Sequence, residues 1–208
     1  MEIALTIIIL IVSIIAHEVA HGYAANALGD PTARLAGRLT MNPFPHIDPI
    51  GSIILPAFLV FSGSPMLFGW AKPVPYNPYN LKNQRFGESI VAVAGSATNI
   101  ILAVIFGLIV RFGVGLLSPE MLSLAATIAF VNLFLGLFNL IPFPPLDGYT
   151  FIRGLLPLHL STEFERFESQ MRGMGIMSLF LFLIVFSYIL AGPFSILVAW
   201  LFRALIGG

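Results

Sequence analysis

The stretch that decides the fold is residues 3–28, IALTIIILIVSIIAHEVAHGYAANAL. Residues 3–16 are apolar apart from two hydroxyl side chains, and a membrane crossing needs about 20 mainly apolar residues. Gly29 then offers a natural stop and Pro31 follows it, the usual punctuation after a helix. A cleaved leader would carry a basic start and a small-residue cleavage site. Here Glu2 precedes the run, and the run leads straight into His17 and Glu18. The segment is therefore expected to be a retained first membrane helix.

The rest of the chain has the same character. Of 208 residues, 58% are hydrophobic and 10% charged, against about 25% charged in soluble domains. Mean hydropathy is +0.95. Formal net charge is zero, so no electrostatic case exists for nucleic acid. There is no cysteine, which excludes disulfides, iron–sulfur ligation and thiolate zinc sites. Any bound metal must be held by His, Asp or Glu.

Further apolar stretches are expected as helices over about 88–110 and 121–140, the latter ended by Pro142, Pro144 and Pro145. Residues 149–156 suit a short amphipathic helix, and 163–172 form a charged surface segment. Residues 175–205 make one kinked span or a hairpin around Ala191-Gly192-Pro193. Residues 50–61 are apolar but short, the length of a re-entrant or buried segment. Residues 68–76 suggest a short extended segment. The fold class expected is an all-α polytopic membrane protein of about four to six transmembrane or re-entrant helices. It forms one domain over 1–208, with a core over about 1–157 and a C-terminal helical segment over 174–206.

Basic residues give an orientation. If 50–61 re-enters, Arg34, Arg38, Lys72, Lys82, Arg85, Arg153, Arg166 and Arg172 share one side, against Arg111 alone, with Arg203 undecided. If it spans, the counts even out to six against four. The re-entrant arrangement, with the N-terminus outside, is favoured.

The chemistry sits in His17-Glu18-Val19-Ala20-His21, an H-E-x-x-H pattern. Residues four apart share a helix face, so both imidazoles can bind one ion, and Glu18 can take a proton from a metal-activated water. An ionisable group at membrane depth costs at least about 2.5–3.5 kcal/mol on insertion scales, so three together need a shared reason. A polar network lining a transport path is the alternative. Catalytic zinc wants a third protein ligand and an open position. His46, His159, Asp30, Asp48 and Asp147 are the candidates. Asp147 stands out, because the prolines before it set a rigid turn at the end of a helix that returns to the side of His21. An ordinary turn aspartate before Gly148 is the alternative.

The chain resembles the site-2 protease family of intramembrane zinc metalloproteases, in its short form without PDZ or C-terminal regulatory domains. The resemblance is carried by HEVAHG (17–22), HIDPIG (46–51), GWAKPVP (69–75), AGSATN (94–99) and NLIPFPPLDG (139–148). It covers most of residues 14–150. The family often has Ala-Gly-Pro where this chain has Ala94-Gly95-Ser96. The resemblance implies His17, His21 and Asp147 as zinc ligands and Glu18 as the base. It implies cleavage of transmembrane substrates near the membrane face, in a multi-pass protein of the cell membrane. Substrates would be single-pass membrane proteins or signal-peptide remnants, met within the lipid bilayer.

Substrate contacts are expected from Asn139 beside the ligand turn, from Asn99, and from Trp70 in the extended segment. For the two asparagines, helix–helix hydrogen bonding is the alternative. For Trp70, it is anchoring at the membrane surface. Asn132 is expected to be structural, His46 a fourth metal contact, a gate or a loop residue near the site, and Gly95 a packing glycine. A metal transporter or a non-catalytic relative would use the same histidine face.

Overall fold

The computed structural model describes residues 2–61 and 69–208. Among them it is helical, with no β-strand assigned: α1 (Glu2–Ala27), α2 (Thr32–Leu35), α3 (Leu55–Phe61), α4 (Gln84–Gly113), α5 (Pro119–Asn139), α6 (Asp147–Leu155), α7 (Leu158–Gly173), α8 (Ile176–Val185) and α9 (Ala191–Ile206). Four stretches of the described residues are long and apolar enough to cross a membrane: Ala4–Ala27, Phe86–Gly113, Pro119–Asn139 and Phe180–Ile206. Their outward side chains, such as Ile8, Ile101 and Phe130, are exposed, as a helix surrounded by lipid requires.

Local chemistry sets the ends. Gly29 takes φ +110°, a left-handed conformation that favours glycine, and the Asp30 N–H closes α1 on the Ala25 carbonyl at 2.9 Å. Asn83 caps α4 by accepting from the Phe86 N–H. Ser118 caps α5 through the Met121 N–H. The prolines after Asn139 end α5, and Asp147 then opens α6 in its first turn, where the helix dipole favours a carboxylate.

Helix α4 is the centre of the bundle, packed against α1, α5, α6 and α9. Close approach to α5 depends on Gly136, where a Cβ would sit 2.8 Å from Ile100 Cγ1 and 3.0 Å from the Ser96 carbonyl. Small residues at such contacts let membrane helices pack without a hydrophobic drive. Phe138 on α5 meets Phe182, Phe186 and Phe194, which seats the C-terminal helical run against the bundle.

Residues 175–205 form no hairpin. Between α8 and α9 the backbone keeps helical dihedrals through a π-helical turn at Phe186–Leu190. Pro193 lacks an N–H and would clash in a regular helix, and a π-turn just before it re-registers the chain. Residues 163–172 lie within α7. That helix is fastened by Arg153, which bridges Glu88 on α4 and Glu168 on α7, and by the Tyr149 hydroxyl donating to the Phe164 carbonyl at 2.8 Å.

Residues 50–61 make a π-helical turn at Pro49–Ile54 and then α3. The Trp70 N–H donates to the Gly51 carbonyl at 3.1 Å, the Lys72 N–H to the His46 carbonyl at 2.8 Å, and the Ser52 hydroxyl to the Trp70 carbonyl at 2.8 Å. Trp70 thus lies beside Gly51 and Ser52. Of the expected extended segment, Phe68 lies outside the described residues. Residues 69–77 run without helix or strand assignment.

Candidate metal centre

His17 and His21 sit one turn apart on α1, and Asp147 reaches them from the start of α6. His17 Nε2 lies 3.0 Å from His21 Nε2 and 3.0 Å from Asp147 Oδ2. His21 Nε2 lies 3.3 Å from the same oxygen. Among the described residues, these three make the one cluster of metal-ligating side chains. Two imidazoles and a carboxylate suit zinc. The fit is also metrical. A triangle with sides of 3.0, 3.0 and 3.3 Å has its centre about 1.8 Å from each corner, just inside zinc's usual 2.0–2.2 Å reach. An ion fits slightly off the plane without moving any ligand.

Helix α4 prepares both rings. The His17 Nδ1–H donates to Asn99 Oδ1 at 2.7 Å, and the His21 Nδ1–H donates to the Val91 carbonyl at 2.7 Å. With Nδ1 occupied by an acceptor, each ring turns Nε2 toward the metal position, as ligating histidines commonly do. Between these two contacts stands Gly95. A Cβ there would lie 2.5 Å from His21 Nε2 and 2.7 Å from His17 Nε2. Only glycine leaves that face of the ligand triangle open. Ser96, where the family often has proline, directs its hydroxyl to Asp147 Oδ2 at 3.5 Å.

Glu18 lies beside the ligands, and its Oε2 accepts the Val74 N–H at 2.9 Å. That contact ties the extended segment to the centre. The segment is held further by Arg38, which donates to the Lys72 carbonyl at 2.7 Å, and by Asp30. Fully buried, Asp30 accepts from Asn77 N–H at 2.6 Å, Asn80 Nδ2 at 2.8 Å and Thr32. Burial pushes its carboxyl up, but the hydrogen bonds from Thr32, Asn80 and Asn77 outweigh this and hold it below the usual range. Asp30 is thus a clamp and not a member of the ligand cluster. Asp48 caps the turn at Pro49–Ile54 through the Ile50 and Gly51 N–H groups. His46 is buried and bonded to the Thr40 carbonyl, outside the cluster.

A cavity of about 620 Å³ adjoins His17 and Glu18, walled by Ile14, Trp70, Leu135, Phe138, Asn139 and Phe182. Asn139 Nδ2 donates to the Leu135 carbonyl. The Trp70 side chain lies over Gly51. Asn99 also borders this cavity, but its amide is committed to His17, Ser13 and Asn132. Val91, Val74 and Ser13 carried no functional signal in the sequence, and Gly95 was expected only as a packing glycine. Three of the α4 contacts were legible in hindsight: Val91, Gly95 and Asn99 recur every four residues and so share one face.

A His-His-Asp centre beside a glutamate, with both histidines on a membrane-spanning helix, defines a metalloprotease of the site-2 type. Comparison with known proteins agrees. The profile of Peptidase family M50 matches residues 115–184. "Putative zinc metalloprotease YwhC" of Bacillus subtilis (strain 168) is 41% identical over 170 residues, covering 78% of this chain and 74% of its own length. "Putative zinc metalloprotease Rip2" of Mycobacterium tuberculosis (strain ATCC 25618 / H37Rv) is 29% identical over 192 residues, 92% of this chain and 70% of that protein. Rip2 of Mycolicibacterium smegmatis is 31% identical over 156 residues, 75% of this chain and 57% of its own. No solved structure matches the chain. The chain belongs to peptidase family M50, multi-pass membrane proteases that act on membrane-embedded substrates with zinc as cofactor.

Proposed function

We propose that this chain is an intramembrane zinc endopeptidase that hydrolyses a peptide bond of a transmembrane substrate near one membrane face. The observation that carries this is the meeting of His17, His21 and Asp147 beside Glu18, at the wall of a cavity large enough for several residues of unwound peptide. His17 lies ten residues before the end of α1, about 15 Å along the helix axis at 1.5 Å per residue. The centre thus lies about three turns inside that end of α1.

His17, His21 and Asp147 would hold the zinc, which would supply Lewis-acid chemistry to a water and to the scissile carbonyl. Glu18 takes the proton of the attacking water and hands it to the leaving amine. The Val74 N–H holds one carboxylate oxygen of Glu18, which leaves the other for that transfer. A helical substrate must unwind first, because its carbonyls are already bonded. The extended segment offers a template. Backbone N–H groups alternate sides along an extended chain. Trp70 and Lys72 spend theirs on Gly51 and His46, so that of Ala71 falls on the opposite edge, and Ala71 borders the cavity. A substrate strand laid there gains main-chain hydrogen bonds next to Glu18. Trp70 and Asn139 meet its side chains and backbone. Asn99 acts on the same reaction through His17.

The basic residues favour a cytoplasmic position for this end of the bundle. Arg203 falls with Arg111 on the opposite side, because Arg111 donates to the Ala204 carbonyl. The balance is then eight against two. Single-pass membrane proteins or signal-peptide remnants in the cell membrane are the substrates this arrangement suits. The catalytic core over about 1–157 and the helical segment over 174–206 act as one domain.

The test is Glu18→Gln in purified protein, with a membrane-tethered reporter as substrate. Zinc content stays at wild-type level and cleavage falls by about 10²–10⁴-fold, the contribution of a positioned general base. Cleavage at the wild-type rate by the variant would remove Glu18 from the chemistry.

A further inference from the structure

Ser13, Asn99 and Asn132 form a buried polar chain across three membrane-spanning helices, and each is 4% exposed or less. Asn99 Nδ2 donates to the Ser13 carbonyl at 3.2 Å and to Asn132 Oδ1 at 2.8 Å. Asn132 Nδ2 donates to Ser13 Oγ at 2.9 Å and to the Ile128 carbonyl at 2.9 Å. A side-chain amide can flip, exchanging its donor and acceptor ends. Here it cannot flip without penalty. A backbone carbonyl only accepts, so the Ile128 carbonyl fixes the NH₂ end of Asn132 and turns its oxygen to Asn99. That oxygen and the Ser13 carbonyl then fix the NH₂ end of Asn99. The Asn99 oxygen is left facing His17, at 2.7 Å from Nδ1.

The consequence reaches the metal. If Asn99 presented its NH₂ group instead, His17 Nδ1 would have to accept, the ring proton would move to Nε2, and Nε2 could not ligate. We propose that Asn132 and Ser13 are positioning residues for zinc, fixing the amide polarity of Asn99 and so the tautomer in which His17 meets the ion. The polarity runs one way: Ile128 carbonyl and Ser13, then Asn132, Asn99, and His17. Neither Asn132 nor Ser13 touches the ligand cluster, and both would otherwise pass for ordinary helix-packing polar residues.

The inference rests on the zinc centre and not on proteolysis, so it is measured by metal binding. Full-length protein carrying Asn132→Leu is compared with wild type and with Leu133→Ala, a buried α5 residue next in sequence that packs with Ala103 and Val198. Zinc affinity is read by competition with a chelator. The His17 Nδ1–H is read by ¹⁵N-histidine NMR of the zinc-loaded protein, which has only four histidines. Asn132→Leu is expected to weaken zinc about tenfold, the lower end of the range for partners behind metal ligands, and to shift the His17 Nδ1–H signal and speed its exchange. Leu133→Ala lowers the unfolding temperature and leaves both readouts in place. Ser13→Ala removes the hydroxyl that accepts from Asn132 but keeps the backbone carbonyl that accepts from Asn99, so it moves both readouts in the same direction by a smaller factor. If Asn132→Leu and Ser13→Ala lower stability as Leu133→Ala does, with zinc affinity and the His17 signal at wild-type values, the network only packs helices and the proposal is overturned. Loss of zinc binding here and loss of cleavage in Glu18→Gln are separate outcomes, so either idea can fail alone.

Discussion

Replacing Gly95 with alanine puts the metal centre to a direct test. The added carbon would lie 2.5 Å from His21 Nε2 and 2.7 Å from His17 Nε2, where comfortable non-bonded contact begins at about 3.5 Å. Each imidazole must therefore retreat by about 0.8–1.0 Å, several times the roughly 0.2 Å tolerance of a metal–ligand distance. Two of three ligands are displaced together. We expect zinc affinity to fall at least about 100-fold, or about 2.8 kcal/mol at 1.4 kcal/mol per decade. The fold should not suffer in proportion. The clash falls on the tips of two side chains, and alanine is the better helix former by about 0.8–1.0 kcal/mol. The assay is zinc titration of metal-free protein in detergent against a competing chelator, paired with thermal unfolding of the same metal-free sample. Affinity collapses and the unfolding temperature stays close to wild type. If Gly95→Ala binds zinc as tightly as wild type, the ion does not sit within this triangle of ligands. If zinc and the fold are lost together, Gly95 serves packing alone.

Two further outcomes follow from the supports of the site. Asp30 titrates below its unfolded value, so the stability it contributes is full above about pH 4 and is lost as pH falls through the lower folded value. Limited proteolysis should show residues 69–83 becoming cleavable in that acid window before the helices unfold. Asp30→Ala should cost about 3 kcal/mol and make the same segment cleavable at pH 7. Arg153→Met strands the largely buried carboxylate of Glu88 and leaves Glu168 with Arg172 alone. Breaking such a pair costs about 3–5 kcal/mol. Thermal unfolding should register the loss, and zinc affinity should fall with it because α6 carries Asp147.

What the sequence disclosed was whatever one helix decides alone. The i, i+4 spacing of His17 and His21, the apolar lengths of the four spans, and the stops at Gly29 and Pro142 are local facts. The capping residues Asn83 and Ser118 are local as well but were not picked out, and the helix starts at Gln84 and Pro119 lie two to four residues earlier than expected. The C-terminal stretch was ambiguous because Gly192-Pro193 is compatible with both a turn and a kink. The π-turn that resolves it has no side-chain signature. Asp30 looked like a possible ligand, because nothing local distinguishes a carboxylate meant for a metal from one meant for backbone N–H groups. Its partners Asn77 and Asn80 lie almost fifty residues away. Gly95 was read as packing for the same reason. What it makes room for is on another helix.

Helix α4 supplies no ligand, yet it decides the state of two of them. The Val91 carbonyl orients His21, the gap at Gly95 admits the ion, and the Asn99 amide orients His17. These three recur every four residues, so they lie along a single stripe. The stripe on α1 that carries Ser13, His17 and His21 has the same spacing. Two stripes of equal period match only in one register. Sliding either helix by one residue turns its stripe about 100° away and removes all three functions at once. The H-E-x-x-H pattern therefore states half of a condition that α4 completes, which is why a buried asparagine chain spanning α1, α4 and α5 is placed where it also pins that register. Ligand identity is written in α1 and α6. Ligand chemistry, meaning tautomer, orientation and room for the ion, is written in the helix between them.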